Sequence, residues 1–541
     1  MTTPCTSQAM AEAPVSRGHP APSTATRKTW LGLAVLALPT MLLGLDVTIL
    51  YLALPALAMD LQPSATQALW IMDVYGFMIA GFLITMGTLG DRIGRRRLLM
   101  MGMLAFGATS IMAAYATSAD MLLIARALLG IAGATLMPST LSLITNLFAN
   151  AHQRALAIGI WATSFALGMA AGPVLGGWLL NQFWWGAPFL IAVPIAGLLL
   201  VTAPLLLPEY RSHHAGRLDL VSVLLSLGAV LPTVYGLKAM AKAGPAVMPA
   251  LAIGLGIAMA IVFIRRQRRL PQPLIDLSLF DSRTFRVALL VLMLGLIAVA
   301  GMMLLVTQYL QLVAGLTPLR AGLWMGLPAL MMVAAGVISP LVARRIRPGY
   351  VVAGVLLLST LGYLLLALVD TSSSALWWAV AGFSLVYMGL GTLAALGTEL
   401  VIGTAPVAKA GAASALSEMV QELGVALGIA LMGSLATFIY RQQIAADIPG
   451  DLCAQHASAI EQGLWKTATL AHELPTTLVT ASQQSFAAGL NVAAAVSGAL
   501  VLMLALLATI YLRDVPALGE EALGKEALGE EALGKEALGE E

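Results

Sequence analysis

Long apolar runs cover most of the chain and restrict what it can fold into. A helix that crosses the hydrocarbon layer of a bilayer needs about 20 mostly apolar residues, because its backbone hydrogen bonds must all close within the helix. Only 10% of the 541 residues are charged, whereas soluble domains carry about 25%. The sequence therefore predicts an all-α polytopic membrane protein. Fourteen runs meet the length requirement, at residues 30–56, 69–89, 98–117, 121–147, 155–180, 185–206, 219–238, 247–264, 285–312, 321–343, 350–369, 375–402, 411–440 and 487–512.

The runs are grouped as six, two and six, which predicts two six-helix bundles with two inserted helices between them. Repetition of bundles is how many carriers place a site near the midplane of the membrane, where either side can reach it. In the loop 441–486 we expect one or two short surface helices. The predicted segments are a disordered N-terminal tail at 1–28, the N-terminal bundle at 29–207, the linker with both inserted helices at 208–284, the C-terminal bundle at 285–512 with its outer loop at 441–486, and a tail of ALG[EK]E repeats at 513–541.

The distribution of lysine and arginine predicts the orientation, because these residues stay in the cytoplasm beside membrane spans. With a cytoplasmic N-terminus, most basic residues of the loops lie on the inner side, and both termini are cytoplasmic. Cys5 and Cys453 then lie on opposite sides of the membrane, so no disulfide is predicted. The outer side holds only five basic residues in this interpretation: Lys238, Lys242, Arg320, Arg441 and Lys466.

Six ionisable side chains remain inside the predicted spans. A charge at mid-helix costs about 2.5–3.5 kcal/mol on insertion scales, so such residues usually face a protein or water-filled interior. All histidines lie outside the spans, which leaves carboxylates for any proton chemistry in the membrane. The six residues are Asp46, Asp73, Arg126, Glu399, Glu418 and Glu422.

Depth along the helices brings Asp46, Asp73 and Arg126 to a similar level, where they form either a functional cluster or an ion-pair group that only fastens helices. Glu418 and Glu422 are four residues apart and therefore lie on one helix face, where they can take and release a proton. The alternative is a glutamate that stays protonated inside the bundle. Glu399 lies near a helix end and can simply reach the lipid headgroups.

Three segments carry family motifs. The loop GTLGDRIGRRR resembles the signature loop of the major facilitator superfamily, and LLIARALLGIAGA, with Arg126 and Gly130, resembles the fourth-helix motif in which the arginine is associated with proton coupling. GMAAGPVLGG in the fifth span looks like the motif of drug/proton antiporters, where glycines allow a close helix approach and proline adds a bend. The motif residues are Gly87, Asp91, Arg92, Gly94, Arg95, Gly168, Gly172, Pro173, Gly176 and Gly177.

Further matches narrow the group. LDVTILYLALP resembles the first-helix motif of the fourteen-span drug/proton antiporters, and LWIMDVY and YLQLVAGLTPLRAG look like the branch that exports quaternary ammonium compounds and dyes. Two positions depart from the family, which often has Asn where Tyr51 and Ala192 stand. The resemblance implies two six-helix bundles plus two inserted helices, and proton-coupled efflux of lipophilic cations, dyes and antiseptics by alternating access.

Residue roles follow as hypotheses. Proton coupling is assigned to Asp46, Arg126, Glu418 and Glu422. A lipophilic cation needs carboxylates and aromatic faces, and attraction to a ring is worth about 0.5–2 kcal/mol. Any one of the aromatic residues can instead serve packing or interface anchoring. The predicted substrate-binding residues are Asp46, Asp73, Tyr51, Trp70, Tyr75, Trp161 and Glu422.

Other classes of function fit less well. An exporter of another small amphipathic compound, an antibiotic or metabolite, would use the same fold, and an anionic substrate would find only Arg126 in the spans. A channel or a sensor remains an alternative function. The sequence contains no HExxH, GxSxG or GxxxxGK[ST] motif, so we expect neither an enzyme nor a bound metal or cofactor. The expected energy source is the proton gradient. The expected partners are cationic drugs, protons and the lipid bilayer, without nucleic acid, for a monomer in the cell inner membrane.

Overall fold

The computed structural model describes residues 25–148, 150–211, 219–243, 246–270, 273–372, 374–405, 410–449, 452–513 and 515. The predictions for most of the N-terminal tail, with Cys5, and for the ALG[EK]E repeats concern residues outside these ranges. The described residues form helices and no strand, which confirms the all-α prediction.

The helices fall into the predicted two bundles and an inserted pair. The N-terminal bundle contains α1 Arg27–Leu61, α2 Ala65–Ile93, α3 Arg95–Ala114, α4 Ala119–Gly133, α5 Leu136–Leu147, α6 Ala151–Gln182 and α7 Ala192–Leu206. The inserted pair is α8 Leu220–Ala243 and α9 Val247–Gln267. The C-terminal bundle contains α10 Arg283–Gln308, α11 Pro318–Ala343, α12 Pro348–Leu366, α13 Ala375–Thr392, α14 Thr398–Gly403, α15 Ala410–Ile444, α16 Ala454–Glu461, α17 Leu464–Thr469 and α18 Thr476–Tyr511.

In the part of the chain that the structure describes, fourteen helices or helix pairs are long and apolar enough to cross a membrane. The helices α4 and α5 form one span, and α13 joins α14 through a π-helical turn at Leu393–Gly397. The largest difference from the predicted boundaries is at α18, which begins at Thr476 instead of residue 487. Its first turns carry buried Ser482 and Ser485, and Gln483 donates a hydrogen bond to the backbone oxygen of Leu312. A hydropathy count misses these turns because they carry several polar residues.

Helix α6 packs closely against helices of both bundles. A side chain at Gly168 would meet the backbone oxygen of Met41 in α1, and one at Gly172 would meet Thr48. At the end of α6, a Cβ at Gly177 would lie 2.5 Å from the backbone oxygen of Pro318 in α11. The glycine spacing of this helix therefore holds α1 against α6 and brings the two bundles together at the α6–α11 crossing.

The turn between α2 and α3 is fastened by charged and backbone contacts. Gly94 adopts a φ of 114°, which favours glycine. Arg95 forms an ion pair with Asp91 at 2.7 Å. Arg96 donates to the backbone oxygen of Leu207 at 2.8 Å, and its own N–H donates to Glu209 at 3.1 Å. The signature arginines thus bind this turn to the segment after α7.

The inserted helix α8 is not peripheral, because it packs against α2 of one bundle and α15 of the other. Phe77, Val234, Ala426 and Ala430 form a small buried cluster where the three helices meet. The prediction that Lys238 belongs to an outer loop is wrong. Lys238 lies inside α8 and is buried, because the helix continues to Ala243 and the ammonium group finds a carboxylate within the protein.

The segment before α18 contains the two short helices that the sequence predicts. Helix α16 is partly exposed, whereas α17 is not a surface helix, since Leu464, Trp465 and Thr467 are buried. Lys466 lies next to Trp465, and its ammonium group is 3.5 Å from the backbone oxygen of Gln62, the residue that follows α1. The side of the protein that holds these helices is called the α17 side.

Candidate functional site

A cavity of about 330 Å³ lies between the bundles and is lined by residues of α1, α2, α4 and α15. Its walls are largely apolar, with Val47, Leu50 and Ile429 among them. Largely apolar walls with a few convergent polar groups are typical of sites for small organic ligands. The polar residues of the lining are Tyr51, Asp73, Tyr75, Arg126 and Glu422. The structure therefore brings five of the predicted site residues to one cavity.

Arg126 forms a buried ion pair with Asp46. The distance between Arg126 Nη1 and Asp46 Oδ2 is 2.7 Å, and the two side chains are 1% and 10% exposed. Arg126 Nε donates a second hydrogen bond to the backbone oxygen of Ile71, and the guanidinium lies 4.4 Å from the ring centroid of Tyr75. Gly130 makes this placement possible, because a Cβ there would lie 2.5 Å from the backbone oxygen of Tyr75.

The two members of this pair face different cavities. Arg126 lines the cavity between the bundles, whereas Asp46 lines a second cavity of about 380 Å³ inside the N-terminal bundle. Phe106, Ser110 and Phe189 line the second cavity as well. The ion pair thus separates two spaces, and a change of charge at Asp46 would be felt at Arg126 in the other space.

Asp73 is neutralised by a partner that sequence reasoning missed. Lys238 Nζ lies 2.7 Å from Asp73 Oδ2, and the side chains are 1% and 0% exposed. The ammonium also lies 4.1 Å from the ring centroid of Trp70. One sequence signal was available, because apolar and helix-forming residues continue after Lys238 until the Gly-Pro pair at 244–245. Trp70 does not line the cavity; it holds the lysine.

Glu422 is the cavity acid that has no ion-pair partner among the described residues. It lies on α15, where Gly76 of α2 comes close enough that a Cβ would be 3.4 Å from the Glu422 backbone oxygen. Glu418 is one turn away on the same helix and is partly buried, but it does not line this cavity. Glu399 is exposed on the short helix α14.

The aromatic candidates separate into two groups. Tyr51 and Tyr75 line the cavity, and both are 3% exposed. Trp161 lies outside this lining; its indole N–H donates to Thr140 Oγ1 at 3.0 Å, which fastens α6 to α5. Tyr51 is the residue that departs from the family motif, and it faces the cavity between the bundles while Asp46 faces the other one.

In the described ranges no three or more His, Cys, Asp and Glu side chains form a group that could hold a metal ion. The absence of a cofactor stays a prediction.

Comparisons with known proteins agree with this architecture. The family model described as Major Facilitator Superfamily matches residues 36–429. The chain is 40% identical to the multidrug efflux pump LfrA of Mycolicibacterium smegmatis, over 90% of this chain and 96% of that protein. It is 34% identical to the methyl viologen resistance protein SmvA of Salmonella typhimurium, over 88% of this chain and 97% of the relative.

Among solved structures, a bacterial homologue of the human lysosomal transporter Spinster in an inward-facing, unoccupied conformation matches with a TM-score of 0.61 and 17% identity, over 91% of this chain and 98% of that one. This similarity shows the fold. Together with the matched family model and the fourteen spans, it assigns the chain: the protein belongs to the major facilitator superfamily, in its group with fourteen membrane-spanning helices.

Proposed function

We propose that the protein is a multidrug efflux antiporter that exports lipophilic and quaternary ammonium cations, dyes and antiseptics in exchange for protons. The observation that carries this proposal is the composition of the cavity between the bundles. It combines Glu422, an acid without an ion-pair partner among the described residues, with the rings of Tyr51 and Tyr75. An acid and aromatic faces in an apolar cavity are the groups that hold an organic cation. The names of the relatives LfrA and SmvA support drug export.

The charges of the cavity favour a cation over an anion. Arg126 lines the cavity, but its guanidinium is already paired with Asp46 and its face is covered by Tyr75. An anion would have to break this pair in a buried site, where the loss of a partner costs about 3–5 kcal/mol. A cation meets Glu422 without breaking any ion pair between described residues.

Proton coupling is proposed to run through Asp46. A proton that binds Asp46 from the cavity inside the N-terminal bundle removes the negative charge from the pair. Arg126 then presents an unbalanced positive charge to the cavity between the bundles and repels the bound cation. Glu422, with Glu418 one turn away, is proposed to exchange its cation for a proton on the same side of the membrane. In this scheme, protonation of the carboxylates and binding of the cation exclude each other.

The energy of the gradient bounds the stoichiometry. A hundredfold gradient of a monovalent cation requires about 2.7 kcal/mol, and outward movement against about 100 mV adds about 2.3 kcal/mol. One returning proton cancels the electrical term, so the pH gradient must supply the concentration term. With a small pH gradient, more than one proton per cation is needed, and the several acids permit this.

The proposed cycle uses the two-bundle architecture. Contacts between the bundles occur on the α17 side, where Gln311 donates to the backbone oxygen of Leu52 and Gly177 lies against Pro318. We propose that this side faces the cell exterior, that both termini are cytoplasmic, and that a monomer in the cell inner membrane is the working unit. The structure then represents the state that is closed to the outside.

The test measures ethidium transport by the full chain in proteoliposomes, with the pH gradient and the voltage imposed independently. We expect efflux that follows the pH gradient and stops in Glu422→Gln. The matched control is Glu461→Gln, which removes a glutamate whose partner Arg441 lies 3.7 Å away at the surface. Efflux that persists in Glu422→Gln would refute the role of this acid. Transport of neutral amphipathic compounds only, without any cation, would favour the exporter of another small compound.

A further inference from the structure

We propose that Lys238 is a specificity-determining residue: its ammonium neutralises Asp73 from the inserted helix α8 and leaves Glu422 as the acid that the cavity offers to a substrate cation. This inference rests on the proposed function, because it concerns how many positive charges the same cavity accepts. It gives the inserted helix a role in substrate selection that the two bundles alone do not contain.

The position of the pair supports this role. Asp73 lines the cavity between the bundles, whereas Lys238 approaches from α8 and does not line it. The ammonium is 2.7 Å from the carboxylate and 4.1 Å from the Trp70 ring centroid, so one carboxylate and one aromatic face hold it. These are the groups that bind a cationic ligand, and here a residue of the protein already occupies them.

Attachment of α8 does not require the ion pair. Phe77, Val234 and Ala426 already pack α8 against α2 and α15 through apolar contacts. Within the described part of the chain, Asp73 Oδ1 and Lys238 Nζ make no hydrogen bond to any further group. A buried ion pair with unsatisfied atoms is a poor source of stability, and apolar residues of similar volume would hold the helices as well. The pair is therefore better explained by its charge than by its contribution to packing.

The charges around the cavity can be counted in pairs. Asp46 balances Arg126, and Lys238 balances Asp73. The remaining acid in the lining is Glu422. In this arrangement the cavity matches a ligand with one positive charge. Loss of the Lys238 charge would add a second negative charge at Asp73, whereas loss of the Asp73 charge would leave a positive one beside the cavity.

The test measures binding to the purified full chain in nanodiscs at pH 8. The probes are tetraphenylphosphonium, with one charge, and a flexible bis-quaternary ammonium compound, with two. The variants are Lys238→Met, Asp73→Asn and the double variant that carries both changes. At an effective dielectric constant of about 20, a unit charge beside the cavity changes the binding constant of a cation by about tenfold.

The expected order of affinity for the monocation is Lys238→Met above the wild type, the double variant near the wild type, and Asp73→Asn below it, with steps of about tenfold. For the dication the steps are squared, to about a hundredfold, since each charge feels the change. If Asp73 takes up a proton in Lys238→Met, the gain appears instead as one additional proton released for each cation bound. Proton release is therefore measured in the same titration.

The matched control is Lys466→Met, which removes a lysine whose ammonium lies 5.1 Å from the Trp465 ring centroid and which does not line the cavity. It should leave the affinity and the charge preference unchanged. Because the double variant removes both charges of the pair and leaves neither without its partner, it provides a folded reference even if a single variant is unstable. Wild-type affinity in Lys238→Met, without additional proton release, would overturn the inference while cation export stands. Absence of cation binding in the wild type and in all variants would overturn both proposals.

Discussion

Replacement of Asp46 by Asn tests the buried pair most directly, because Asn has the same shape and removes only the charge. The guanidinium of Arg126 is 1% exposed and would stay in place without its counter-charge. Removal of one partner from a buried ion pair costs about 3–5 kcal/mol. The Asn side-chain oxygen can still accept one hydrogen bond from Arg126. We therefore expect a loss at the lower end of this range, about 3 kcal/mol of the unfolding free energy.

The assay is unfolding of the purified protein in mixed micelles by titration with a denaturing detergent, followed by tryptophan fluorescence. The double variant with Arg126→Gln should lose less than the sum of the single variants, because no unpaired charge remains. Asp120→Asn is the control, since Asp120 accepts one exposed hydrogen bond from Gln67 and its loss should cost about 1 kcal/mol at most. An Asp46→Asn protein as stable as the wild type, or strictly additive single variants, would refute the interpretation of this pair as a coupled buried unit.

Two further predictions concern packing and pH. Gly168→Ala should lower the unfolding free energy by about 1–3 kcal/mol, because its Cβ meets the backbone of α1. Gly159→Ala in the same helix should leave stability unchanged or raise it, because a Cβ there would have no described atom of another segment within 4 Å. Equal effects of the two substitutions in the same micelle assay would contradict this reasoning. Burial raises the pKa of Asp219, but hydrogen bonds from Ser222 and Arg266 outweigh it and hold the pKa below its ordinary value. A depressed pKa means that this contribution to stability is present above the unfolded value of about 3.9 and is lost as the pH falls below it. Asp219→Asn should therefore flatten the loss of stability below about pH 4, and an unchanged acid limb of the stability profile would exclude this role.

The all-helical architecture could be predicted because the bilayer leaves few solutions. Every backbone polar group in a spanning segment must be satisfied within the segment, so apolar length alone specifies fourteen helices. Close approach of a neighbouring helix to α6 was also predictable, since Gly168, Gly172 and Gly176 present no side chain on that face. Only the structure shows that this neighbour is α1. Arg126 and Asp46 could be expected at one level because depth follows from the rise of the helix.

Tertiary structure alone decided which charges meet and which side chains reach the cavity. Lys238 and Asp73 lie on helices that are distant in sequence, and a long flexible side chain leaves no periodic signal of its partner. Trp161 and Tyr51 are both aromatic residues within apolar membrane spans. The rotation of their helices buries Trp161 against Thr140 but places Tyr51 in the cavity lining. The sequence by itself determined how many helices cross the membrane, because that depends on each segment alone. Their packing decided which acid is left unpaired, because the electrostatic balance of a buried carboxylate depends on the neighbour that the fold supplies.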